Sequence, residues 1–88
     1  MKLQREREGG AAEWLYGRQV VGEVLRAGRR RCRALWIAEG VRPSPVVSTL
    51  RDWARRRGVP VRLCPKSELD RRTASANHQG VVLEAEPF

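Results

Sequence analysis

The chain has 88 residues, a formal net charge of +8 and two cysteines. A domain of this size buries only about 60–65% of the surface its unfolded chain exposes, so the expectation is one small domain with a thin core. No apolar stretch reaches the length of a membrane span, and no membrane partner is expected.

Cys32 and Cys64 lie far apart, with no histidine at ligand spacing. That argues against a metal and for two reduced, mostly buried thiols in a cytoplasmic protein. Sixteen arginines and two lysines stand against ten acidic residues. A GC-rich coding bias explains arginine in place of lysine, but not the excess of cations. The balance points to an anionic partner, nucleic acid first.

The opening "MKLQREREGG" mixes charges and lacks an apolar core of its own, so residues 1–12 are expected to form a flexible lead-in rather than a secretion signal. From Glu13 onward the pattern becomes regular. Leu15, Val20, Val21, Val24 and Leu25 recur at helical spacing and predict a helix over roughly 17–28. Gly22 inside it costs about 1 kcal/mol relative to alanine, which predicts close packing against a neighbour. Gly28 is a natural stop.

"RALWIA", residues 33–38, reads as a strand covered on both faces. Ser44 then offers an N-cap and Pro45 the first position of a second helix, whose buried face is Val46, Val47, Leu50, Trp53 and Ala54. Gly58 ends that helix. Residues 59–64 alternate as a half-buried strand, with Pro60 placing its start at an edge. Residues 65–72 predict one or two helical turns, and 80–86 a last strand entered through Gly80. The stretch 33–64 is thus a βαβ unit with parallel strands. The predicted fold class is α/β: a small three-layer α/β/α sandwich with a mostly parallel sheet.

Signatures of catalysis are missing. No G-x-G-x-x-G follows a strand, and neither a phosphate loop nor a G-x-S-x-G elbow occurs. His78, the only histidine, follows the only asparagine, Asn77, and nothing positions it beside a cysteine or serine nucleophile. It belongs to a recognition or hinge loop, either contacting a ligand or shaping the turn. Arg29, Arg30, Arg31 and Arg33 fan out where a helix ends and a strand begins. They compensate the helix dipole or track phosphates. For Arg55–Arg57 dipole compensation is the favoured reading. Trp36 and Trp53 lie in apolar patterns and read as core or near-core. Trp14, flanked by charge, packs as a staple or stacks on a base.

Taken together, "EWLYGRQVVGEVLRAG", "RALWIAEG", "RDWARRRGVPVRLCPKSELD" and "ANHQGVV" resemble the N-terminal substrate-binding domain of the SpoU (TrmH-type) RNA 2′-O-ribose methyltransferases. The resemblance covers roughly residues 13–86. Its most specific pieces are the Tyr16-Gly17 helix start and the His78-Gln79-Gly80-Val81 segment. It implies the fold of the ribosomal proteins that bind kink-turn RNA.

Carried over residue by residue, it implies RNA contacts at Gly17, Arg18 and Gln19, at Gly40, Val41 and Arg42, and at Asn77, His78 and Gln79; the charge cluster, independently of the resemblance, adds Arg29, Arg30 and Arg31 as candidates. Arg18-Gln19 departs from the Ala-Asn that follows the glycine in the ribosomal proteins. The implied role is to hold structured RNA, ribosomal RNA first. A separate knotted domain would bind S-adenosylmethionine and transfer the methyl group. No catalytic residue, cofactor or metal site is expected within these 88 residues. The segment is expected to be an excised piece, monomeric alone and homodimeric in the full enzyme. A stand-alone ribosomal-type RNA-binding protein and a protein-interaction module are the alternative readings.

Overall fold

A computed structural model describes residues 12–74 and 76–87. The chain runs β1 (Glu13–Tyr16), α1 (Arg18–Ala27), β2 (Cys32–Ala38), α2 (Pro45–Arg56), β3 (Val61–Cys64), α3 (Lys66–Arg72) and β4 (Val81–Ala85). The expected flexible lead-in over 1–12 lies, but for residue 12, outside the described residues.

Local chemistry explains the helix ends. Ser44 Oγ accepts from the Val47 amide at 3.1 Å, and Pro45 follows at the first helical position, as the sequence predicts. Gly28 closes α1 in the left-handed conformation, its amide donating to the Val24 carbonyl. Gly22 earns its place through packing: a Cβ there would sit 3.3 Å from Leu50 Cδ2 and 3.6 Å from Trp53. The two helices therefore approach closely at that point.

Both helices cover one face of the sheet. Val21 and Leu25 of α1 and Val47, Leu50 and Ala54 of α2 pack on Leu35, Ile37, Val81 and Leu83. Full burial of each large aliphatic side chain contributes about 1.5–3 kcal/mol. On the opposite face Leu69 of α3 packs with Ala38, Cys64 and Val82, flanked by half-buried Trp14 and Trp36. The three layers are those expected, and β2 is covered on both sides.

Two features differ from the expectation. The sheet order is β1-β4-β2-β3, and only β2 and β3 are parallel; β4 runs antiparallel to both β1 and β2. The sheet is mixed, not mostly parallel. The cause is the short return after β3. Seven residues of α3 climb about 10 Å, half the length of β2, so the chain reaches β4 from the end where β3 finished. The second difference is β1. Residues 13–16 form an edge strand paired with the end of the chain, Glu13 opposite Ala85, where the sequence suggested only an approach to a helix.

Among the described residues no helix is long and apolar enough to cross a membrane. Both cysteines are free, Cys64 buried and Cys32 half-buried, and burial pushes both thiols up.

Candidate nucleic-acid interface

Three connections meet at one end of the sheet because β1 and β2 finish there and β4 starts there. They are the start of α1, the loop after β2 and the loop before β4. The Gly17 amide reaches the Val81 carbonyl at 3.4 Å, and the Ala38 amide donates to the Gly80 carbonyl at 2.9 Å. Of the expected groups, Arg18, Gly40, Val41, Asn77, His78 and Gln79 line one cleft of about 550 Å³, whereas Gly17, Gln19 and Arg42 lie outside its lining.

Gln79 ties the last loop to the first helix. Its side-chain oxygen accepts from the Arg18 amide at 2.8 Å, and its carbonyl accepts from Arg18 Nε at 3.2 Å. Gly17 has no side chain with which to cap α1, so a residue 61 positions later in the chain supplies the acceptor. Gln79 holds φ at 56°, a left-handed conformation rare outside glycine, and these bonds offset its strain.

His78 is 3% exposed. Its Nδ1 accepts from the Gly80 amide at 2.9 Å, which makes Nδ1 the unprotonated nitrogen of a neutral ring. Nε2 then carries the proton and donates to Asp70 Oδ1 at 2.7 Å. The Asp70 carboxylate also holds Lys66 at 3.2 Å. Hydrogen bonds from His78 first, then Lys66, hold the Asp70 carboxyl below the usual carboxylate range. The imidazole thus fastens the loop to α3 with both nitrogens engaged and its ring shielded. Asp70 and Lys66 were not singled out from the sequence; the one local trace of them is their i,i+4 spacing.

The cleft's two glycines differ. Gly40 has φ 82° and open space around it. Gly80, at φ 81°, lies so near Val41 that a Cβ would come within 2.9 Å of Val41 Cγ2. Gly80 is therefore the point at which the third loop packs directly against the second. Asn77 and Gln79 are exposed at the cleft, and Gln19 and Arg42 are exposed outside its lining.

Arg29, Arg30 and Arg31 are not part of this cluster. They precede β2 and so occupy the other end of the sheet. There Arg30 donates to the Glu86 carbonyl at 2.8 Å and pairs with Glu13 at 2.7 Å. Trp14, placed on β1, has the Arg72 guanidinium 4.8 Å from its ring centroid. Among the described residues no group of three or more His, Cys, Asp or Glu side chains is placed to hold a metal ion.

The family model for RNA 2′-O ribose methyltransferase substrate binding matches residues 14–88. The chain is 40% identical over 75 residues to a 23S rRNA (guanosine-2′-O-)-methyltransferase of Pseudomonas aeruginosa, covering 85% of this chain and 29% of that protein. It is 37% identical over 76 residues to an uncharacterized tRNA/rRNA methyltransferase of Mycobacterium ulcerans, covering 86% of this chain and 24% of that one. It thus spans about a quarter of the length of these relatives. The archaeal translation termination factor aRF1 shares the fold with a TM-score of 0.55 at 19% identity, over 82% of this chain and 19% of its own. With the match extending from β1 to the end of β4, this chain belongs to the substrate-binding domain family of the SpoU-type RNA 2′-O-ribose methyltransferases.

Proposed function

We propose that this domain grips structured RNA, ribosomal RNA first, and presents it to a methyltransferase domain outside these 88 residues. The observation that carries the reading is the meeting of three loops at one sheet end, with Arg18, Asn77 and Gln79 lining a cleft and Gln19 and Arg42 exposed next to lining residues in the chain, in a family defined by substrate binding. Arginine suits the task because its planar fork grips phosphate bidentately and stacks on bases. Gly17, Gly40 and Val41 let the backbone come close, and His78 acts through the loop it fastens. Binding energy gathered here lowers the chemical barrier by positioning the ribose, with no chemistry donated.

S-adenosylmethionine belongs, on this reading, to the neighbouring catalytic domain. Around the cleft Arg18 is engaged with Gln79, and His78 with Asp70 and Gly80, which does not suit an adenosyl group. We place the protein in the cytoplasm, this domain monomeric by itself and the full enzyme a homodimer.

Titration of the isotope-labelled domain with a ribosomal RNA hairpin at low salt tests the proposal. Amide shifts should concentrate at 17–19, 40–42 and 76–80. A spectrum unmoved by every ribosomal hairpin offered would overturn it.

A further inference from the structure

Two arginine runs separated by 23 residues in sequence fold to the same pole. α1 and α2 both end at the side of the sheet where β2 begins, opposite the three-loop cleft. Arg29–Arg31 follow α1, and Arg55–Arg57 occupy the last turn and the C-cap of α2. Arg57 joins the two runs. Its Nη1 donates to the Leu25 carbonyl and its Nη2 to the Arg30 carbonyl, each at 3.1 Å.

These bonds divide the six arginines by task. Arg57 satisfies carbonyls at the end of α1 and beyond it, and Arg30 binds Glu86 and Glu13. The side chains of Arg29, Arg31, Arg55 and Arg56 are exposed and make no hydrogen bond or ion pair with another described residue. Dipole compensation at α1 does not require Arg29 or Arg31, because Arg26 already lies in its last turn and Arg57 donates to its Leu25 carbonyl; Arg55 and Arg56 compensate the end of α2 and keep their side chains exposed. Four unpaired like charges gathered at one pole repel one another and weaken the fold. A polyanion from outside supplies the missing counter-charge.

We infer that this arginine pole is a second RNA contact, one that takes backbone phosphates of a segment separate from the one read at the loops. The inference rests on the proposed RNA-holding function and adds a geometry to it. Seven residues of β2 set the two contacts about 20 Å apart. A bound RNA must therefore run the length of the sheet or fold around the domain. Contacts to backbone phosphates carry no sequence information, so the pole contributes affinity without sequence preference.

The test compares the 88-residue chain with its Arg29→Gln/Arg31→Gln/Arg55→Gln/Arg56→Gln variant, binding one ribosomal RNA hairpin over a range of salt concentrations. Circular dichroism checks that both are folded. The variant should lose on the order of tenfold or more in affinity at low salt, and its log–log salt slope should shrink by roughly 0.7–0.9 for each phosphate contact removed. Its ranking of different hairpins should stay unchanged, whereas Arg42→Gln should alter that ranking.

A wild-type chain that binds no hairpin overturns the functional proposal and this inference with it. A variant with unchanged affinity and slope overturns the inference alone. The same holds if the variant binds RNA normally but loses retention on polyglutamate, which would make the pole a contact for an acidic protein.

Discussion

The side-chain oxygen of Gln79 caps the first helix at Arg18, with 61 positions between donor and acceptor. Two of the three loops at the cleft are therefore one mechanical unit, and movement of the last loop uncaps α1. Gln79→Ala should destabilise the domain by about 1 kcal/mol, the usual cost of a lost N-cap, and lower Tm by roughly 4–8 °C. Urea unfolding checks this, with the slope against denaturant expected to stay constant.

The buried imidazole makes a larger contribution. In His78→Ala the Gly80 amide and Asp70 lose their partner at once, and the expected cost is about 2–3 kcal/mol. His78→Asn puts a carboxamide oxygen near the position of Nδ1 and should recover roughly 1 kcal/mol. Amide hydrogen exchange at Gly80 separates the two: fast in the alanine variant, slower in the asparagine one.

Gly80 answers to both backbone and space. An alanine there takes on a φ of 81° and a contact of 2.9 Å with Val41, and should cost on the order of 3 kcal/mol. Val41→Ala in the same chain should restore the steric part and leave the backbone part. A double-mutant cycle by chemical denaturation measures the difference, and strict additivity would contradict the contact.

Acid should loosen α3 first. His78 and Lys66 hold the Asp70 carboxyl below its ordinary range, and Arg71 with Arg72 does the same for Glu68. Each group binds its proton more weakly folded than unfolded. The stability it contributes is present above the unfolded carboxylate range, about pH 4, and is lost as pH falls through the lowered folded value. Asp70→Asn should flatten the fall of unfolding free energy between about pH 5 and pH 2. Urea titrations at a series of pH values check it, and an unchanged slope would count against the Asp70 partners.

Several of these relationships were legible in the sequence, and the others were not for definable reasons. Ser44, Pro45, Gly28 and Gly58 mark helix ends through their own backbone chemistry, so α1 and α2 were visible locally. The run 33–38 showed its burial by composition. β1 did not, because four residues carry too little period, and what makes them a strand is β4, some 70 positions later.

The direction of β4 was hidden for a similar reason: it depends on how far a seven-residue helix can carry the chain. At the site, the resemblance pointed to three segments, and the fold brings their connections to one end of the sheet. The Asp70–His78 bond escaped notice because it joins a helix to a loop eight residues on. The sequence named Arg29–Arg31 as candidate contacts without saying where they lie relative to the three loops, and β2 sets its length between them and the cleft.

The place of β4 carries a consequence for synthesis. The last strand of this sheet lies inside it, between the first and second strands, and β1 has no partner without it. A growing chain on the ribosome can form α1, β2, α2 and β3, yet its sheet stays split until residues 81–85 clear the exit tunnel. The domain should therefore complete its fold only after the ribosome has moved well past this segment. Until then the nascent chain exposes an open strand edge that invites mispairing or a chaperone.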